Sequence, residues 1–235
     1  MNLNSPFKIH LVFFGLLFVS LNGLANDPQK TDDLSPEERA WLEDDSSAQA
    51  REISGGELRW VTPDKTLNQY RLENTLTLNS DSLKSGWIDF SQCHYQLDPR
   101  IAVEIVYGVN RTQNLKVISS QLIGSIETAE DHITLKDIQK NAQICISGKT
   151  KVLNQLSPKH YKMLRGPYMR RFLDGFYPMQ VTETIRWEGV PIKLNDITTQ
   201  SALGYDFKVS DTELIANYWF EGLLKPFYEF TLESN

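Results

Sequence analysis

Tyr70-Arg71-Leu72-Glu73-Asn74-Thr75-Leu76-Thr77-Leu78 sorts its side chains onto two faces. Tyr70, Leu72, Leu76 and Leu78 share one face with Asn74, and Arg71, Glu73, Thr75 and Thr77 share the other. A period of two with one apolar face marks a half-buried strand of an antiparallel sheet. Upstream, residues 58–61 read as a shorter strand, followed by a turn at Thr62-Pro63-Asp64-Lys65. Downstream, strands are predicted over 87–97 and 101–109, the second with Ile101, Val103, Ile105, Tyr107 and Val109 on one face. Asn110 to Asn114 turns the chain into 115–119, and further short runs lead to Ala142, Ile144 and Ile146, with Cys145 on the opposite face.

The pattern resumes where Met179, Val181, Ile185 and Trp187 share a face. Glu188-Gly189 turns the chain into Val190, Ile192 and Leu194, and Pro191, which has no N–H to give a ladder, confines that strand to a sheet edge. Tyr205, Phe207 and Val209, then Leu214, Ala216, Tyr218 and Phe220, then 227–232 complete the series. Repeated short strands separated by turn signals predict a mainly β protein, an antiparallel β-sandwich. Residues 57–153 and 179–235 carry the strands, and they fit one continuous sandwich or two β lobes equally. An immunoglobulin domain is declined: Tyr107 stands where a core Trp would follow Cys93, and Gln143 where a corner Tyr would precede Cys145.

Residues 1–25 have the layout of a secretory signal, with Lys8 in a polar start, an apolar run from Leu11 to Leu21, and small residues before a cleavage point at Asn26. The expectation is an exported, periplasmic protein with no membrane span after cleavage. Residues 26–56 form an acidic arm, in which Ser35-Pro36-Glu37-Glu38 is a capping box predicting a short helix over 36–43. The formal net charge of -6 comes from this end of the chain: residues 26–57 hold ten acids and three bases. The remainder is balanced, so the overall field is not one for nucleic acid.

Cys93 and Cys145 are the only two cysteines. In an oxidising compartment an even pair with no competing thiol predicts a disulfide.

One stretch departs from the β pattern. Residues 154–178 form a basic-aromatic excursion containing Tyr161, Arg165, Tyr168, Arg170, Arg171, Phe172, Phe176 and Tyr177. Gly166-Pro167 with Gly175 beyond predicts a helical turn over 167–173, while Asp174-Gly175 offers a hairpin instead. Acids are absent from Ile138 through Leu173, so a positive patch survives folding unless acids arrive from elsewhere. Arg165, Arg170 and Arg171, with Tyr168 and Tyr177, are therefore the candidate binding residues for an anionic envelope component or an envelope protein. On that reading, replacing each Arg by Ala weakens capture and leaves the melting temperature nearly unchanged. The competing reading has the aromatics in the core and the arginines paired with Asp174 and neighbouring acids.

Catalytic signatures are sparse. There is no Gly-x-Ser-x-Gly elbow, no phosphate-cradling loop and no His-Glu-x-x-His helix. His94, His132 and His160 are widely separated, no metal set is assigned, and no motif calls for a cofactor. The sequence thus points to a non-catalytic binding or assembly protein of the cell envelope. The alternative is an envelope polysaccharide hydrolase drawing its carboxylate pair from Asp89, Asp98 and Glu104.

Overall fold

A computed structural model describes residues 56–63, 69–172, 175–197 and 203–233. The signal peptide expected over 1–25, and the acidic arm with its helix over 36–43, lie outside the described residues. The molecule is mainly β, built from largely antiparallel sheets in a sandwich arrangement. Its larger sheet has nine strands, and seven of them follow the order β1 (Arg59–Trp60), β14 (Glu213–Glu221), β11 (Met179–Arg186), β2 (Arg71–Thr77), β3 (Trp87–Leu97), β6 (His132–Lys151) and β4 (Arg100–Val106). Off this path, β13 (Tyr205–Val209) pairs with β14 and β5 (Thr112–Thr128) pairs with β6. A four-stranded sheet runs β12 (Ile192–Ile197), β15 (Phe227–Leu232), β8 (His160–Leu164) and β7 (Leu153–Ser157). β12 lies at its edge, where Pro191 places it.

One pairing decides how the chain closes. β2 and β11 run parallel, with Leu72 opposite Val181, Asn74 opposite Glu183 and Leu76 opposite Ile185. Strands from 57–153 and from 179–235 are thereby hydrogen-bonded into the same sheet. The alternating face of β2 turns inward as its sequence predicts, with Leu72, Leu76 and Leu78 buried. The smaller sheet covers part of this face: Phe230 of β15 packs edge-on to Trp187 with centroids 5.5 Å apart, and Tyr161 and Met163 of β8 are buried.

The short runs expected after residue 110 are instead two long strands, β5 of 17 residues and β6 of 20. Their pairing shifts register between Gln113 and Lys116, Val117 and Ser119, and Gln121 and Ile123. Asn114, Leu122, Asp137 and Asn141 adopt positive φ along this ribbon. Each bulge resets the parity of the side chains, so a continuous strand reads in sequence as broken fragments. Val103 and Ile105 on β4, and Tyr107 just after it, pack against the core as expected, but Ile101 is 84% exposed at the corner that follows Asp98-Pro99.

Cys93 and Cys145 are bonded, as their isolation in the sequence predicts. They sit directly opposite one another on neighbouring antiparallel strands, with Cα atoms 4.1 Å apart. A helical turn absent from the sequence reading, α1 (Ser82–Ser85), links β2 to β3. Asn79 Oδ1 accepts the N–H groups of Asp81 and Ser82 at its start, and left-handed Gly86 ends it.

The basic-aromatic excursion is mostly strand. β7 and β8 form a hairpin in the smaller sheet, and the chain then crosses to the larger one. The helical turn predicted over 167–173 is not formed. Tyr168 instead bridges Leu224, and β9 (Arg171–Phe172) pairs with β10 (Gly175–Phe176) in a hairpin. Asp174 lies outside the described residues. Pro167, in a cis peptide bond, has no N–H, and the Tyr168 N–H is taken by Leu224 O at 2.8 Å, so the segment forms cross-chain bonds rather than a helical ladder. Gly166 has φ +76, and a Cβ there would lie 2.6 Å from Leu224 O. Only glycine fits that crossing.

Candidate binding cleft

Sheet register places polar residues side by side where the sandwich is otherwise apolar. Glu183 on β11 lies opposite Asn74 on β2, and Asn74 lies opposite Gln92 on β3. Two residues further along β3, His94 occupies the next inward position. All of them are buried. Unpaired, such groups would cost several kcal/mol in an apolar interior, and each has found a partner.

Glu183 is the hub. Its side chain is fully buried, and Oε1 accepts from Arg165 Nε at 2.6 Å and from the Tyr168 hydroxyl at 2.6 Å. Oε2 accepts from the Tyr228 hydroxyl at 2.6 Å, and the Tyr218 hydroxyl lies 2.7 Å from that of Tyr228. The row continues along the sheet. Asn74 Nδ2 donates to the Tyr168 oxygen at 2.9 Å, and Gln92 Nε2 donates to Asn74 Oδ1 at 2.9 Å. Gln92 Oε1 accepts from the Tyr107 hydroxyl at 2.6 Å and lies 3.2 Å from His94 Nε2.

These contacts assign the histidine. An amide oxygen can only accept, so His94 Nε2 carries the proton and Nδ1 accepts from the Tyr70 hydroxyl at 2.7 Å. Burial disfavours the imidazolium and pushes His94 down to about 3. Burial likewise raises the Tyr168 and Tyr228 hydroxyls far above the ordinary tyrosine range, and the Glu183 charge adds to the effect. Both therefore remain donors. For Arg165, burial works against the charge, but the Tyr168 and Glu183 oxygens outweigh it and hold the guanidinium above its ordinary value.

The neutral histidine has a pH consequence. Its folded pKa, near 3, lies below its unfolded pKa of about 6.5, so the unfolded chain takes up a proton across that window and the folded one does not. Stability present in full above the unfolded pKa is lost as pH falls, by up to about 1.4 kcal/mol per pH unit. Urea midpoints measured between pH 6.5 and 5 should fall more steeply for the native protein than for His94→Gln. Equal slopes would mean that the imidazole protonates within the fold.

A cavity of about 300 Å³ opens over the His94 end of this row. Gln92, His94, Tyr70 and Tyr168 line it, β4 supplies Val103, Glu104 and Ile105, Tyr107 follows just beyond β4, and the crossing segment supplies Arg165 through Phe172. Its volume is at the small end of the range for small-molecule sites.

The sequence-predicted residues meet here in different roles. Arg165 and Arg170 are not the uncompensated surface charges that local composition predicts, because acids arrive from distant strands. Arg165 is only 10% exposed and pairs with Glu183. Arg170 holds both oxygens of Asp98, with Nη2 at 2.6 and 2.5 Å and Nε at 3.1 Å, and donates from Nη1 to Pro178 O at 3.0 Å. Its guanidinium also lies 5.3 Å from the Tyr70 ring and 5.4 Å from the Tyr177 ring. Arg170 thus clamps the β9–β10 hairpin to the end of β3. Arg171 is exposed and lines the cavity. Tyr168 is buried in the polar row, and Tyr177 is half-buried, edge-on to Phe172.

Of the carboxylates considered for hydrolysis, Asp98 and Glu104 line the cleft. Asp89 faces Lys149 on the other side of the sheet. His132 lies 2.7 Å from Asp131 and 3.8 Å from Glu104. Among the described residues, no three His, Cys, Asp or Glu are placed to hold a metal.

Glu183, Asn74, Gln92 and, apart from Tyr168, the tyrosines around them were not among the predicted site residues. A signal for them exists: each polar member interrupts an apolar face, Asn74 between Leu72 and Leu76, and Glu183 between Val181 and Ile185. No protein-family model matches the chain, and no curated protein matches it in sequence.

Proposed function

We propose that this protein is an exported, periplasmic binding protein of the cell envelope that holds a small anionic ligand in the cleft between β3, β4 and the crossing segment. The observation that carries this reading is the cleft itself, apolar on its walls, with a fully hydrogen-bonded polar floor and arginines at its margin. Fixed polar groups in an apolar concavity orient a ligand without acting on it. Export is supported by the signal-like leader and by a disulfide, which suits an oxidising compartment.

The hydrolase alternative draws on Asp98 and Glu104. With both Asp98 oxygens engaged by Arg170, that carboxylate is not placed to exchange a proton with a sugar oxygen, and binding is the better-supported reading.

The test is native mass spectrometry of the mature chain purified without denaturation from an envelope extract, beside a Val103→Trp variant that fills the cleft. An anionic small-molecule adduct on the native chain, lost from the variant, is expected. No adduct, or one that persists in the variant, would overturn the reading.

A further inference from the structure

We propose that the ligand is a single-chain anionic amphiphile whose carboxylate is held by the Nη groups of Arg165 and whose apolar tail lies against Phe90, Leu97, Val103, Ile105, Met169 and Phe172. This deepens the cleft reading and rests on it.

The head-group assignment follows from how Arg165 is used. Its side chain is nine-tenths buried and lines the cavity, yet its hydrogen bond to Glu183 is made by Nε. Guanidinium carries a planar fork of donors, so engaging Nε leaves the end-on pair, Nη1 and Nη2, for an acceptor on the cavity side. A carboxylate matches that fork with two parallel, charge-assisted bonds. The floor beside it cannot compete for the role. Gln92 Oε1 is already shared by Tyr107 and His94, and the hydroxyl hydrogens of Tyr107 and Tyr168 are spent on Gln92 and Glu183.

Charge agrees with geometry in sign: Arg111, Arg165, Arg170 and Arg171 line the cleft with two carboxylates, Asp98 and Glu104, so an anion is favoured there over a cation. The rest of the wall is hydrocarbon and aromatic, so the ligand's body must be apolar to repay its desolvation.

The experiment is calorimetric titration of the mature, oxidised chain with dodecanoate, dodecanol and acetate below their aggregation concentrations. Dodecanoate should bind at least about tenfold more tightly than dodecanol, because only it satisfies the fork with charge. Acetate, lacking the tail, should show no measurable heat. Val103→Trp should abolish dodecanoate binding. Arg165→Lys, which keeps a positive charge opposite Glu183 but loses the fork, should bring the dodecanoate-to-dodecanol ratio towards one. If that variant does not fold, the native ratio and its dependence on salt decide alone, since a charge-held head weakens as salt rises. Equal affinity for dodecanoate and dodecanol would overturn the head-group assignment and leave the cleft reading standing. The absence of dodecanoate binding beside a native adduct that Val103→Trp removes would have the same effect. Dodecanoate affinity unchanged in Val103→Trp would overturn both.

Discussion

Replacing Arg165 by methionine is expected to lower the unfolding free energy by about 3–5 kcal/mol, because it leaves the Glu183 carboxylate buried and without its counter-charge. Glu183 is fully enclosed between the two sheets, and the Tyr168 and Tyr228 hydroxyls that also reach it can bond to the carboxylate but cannot neutralise it. Pairing the change with Glu183→Gln should restore part of the loss, since the amide keeps an acceptor for those hydroxyls and removes the charge. The two substitutions should therefore cost less together than the sum of their separate effects. Arg171→Ala, on an exposed strand, should change stability by no more than about 0.5 kcal/mol. Urea unfolding of the four variants and the native chain provides the comparison. A loss below about 1 kcal/mol for Arg165→Met would show that the pair does not pin the sheets together.

Removing the disulfide by Cys93→Ser with Cys145→Ser is expected to cost about 4 kcal/mol, the chain-entropy value for a sequence separation of 52. The two residues face each other across a regular antiparallel ladder, so the folded state needs no rearrangement to accept the bond. The crosslink then acts mainly on the unfolded chain, by denying it the open conformations of the loop it closes. That loop contains β4, β5 and most of β6, the long bulged ribbon whose pairings are far apart in sequence. Thermal and urea unfolding with and without reductant should give the same destabilisation as the double variant. An unchanged midpoint would mean that the ladder between β3 and β6 needs no covalent support.

Individual residues show where the sequence was legible. The face of β2 could be read because its register is unbroken from Tyr70 to Leu78, and burial there follows parity. The edge position of β12 followed from one missing N–H at Pro191, and the disulfide from the absence of any other thiol. β5 and β6 could not be read in the same way. Bulges at Asn114 and Leu122 move successive segments out of phase, so no single period runs through them. The helical turn expected after Pro167 failed for a related reason. Local propensity favoured it, but the partners that claimed its backbone, Leu224 and the β10 strand, come from elsewhere in the chain.

The candidate site divides along the same line. Sequence alone determined which residue types stand between 165 and 177, that most of them are basic or aromatic, and that no acid lies between Ile138 and Leu173. Tertiary structure alone decided what those charges do. The parallel pairing of β2 with β11 places Glu183 beside Asn74 and, through it, Gln92, and the crossing at Gly166 delivers Arg165 and Tyr168 to the same point. Asp98 meets Arg170 across 72 positions of sequence. Charge acts through space over a few ångströms, whereas composition is read along the chain. A stretch uncompensated in sequence can therefore be compensated once strands pair, and only the fold shows which acid each arginine meets.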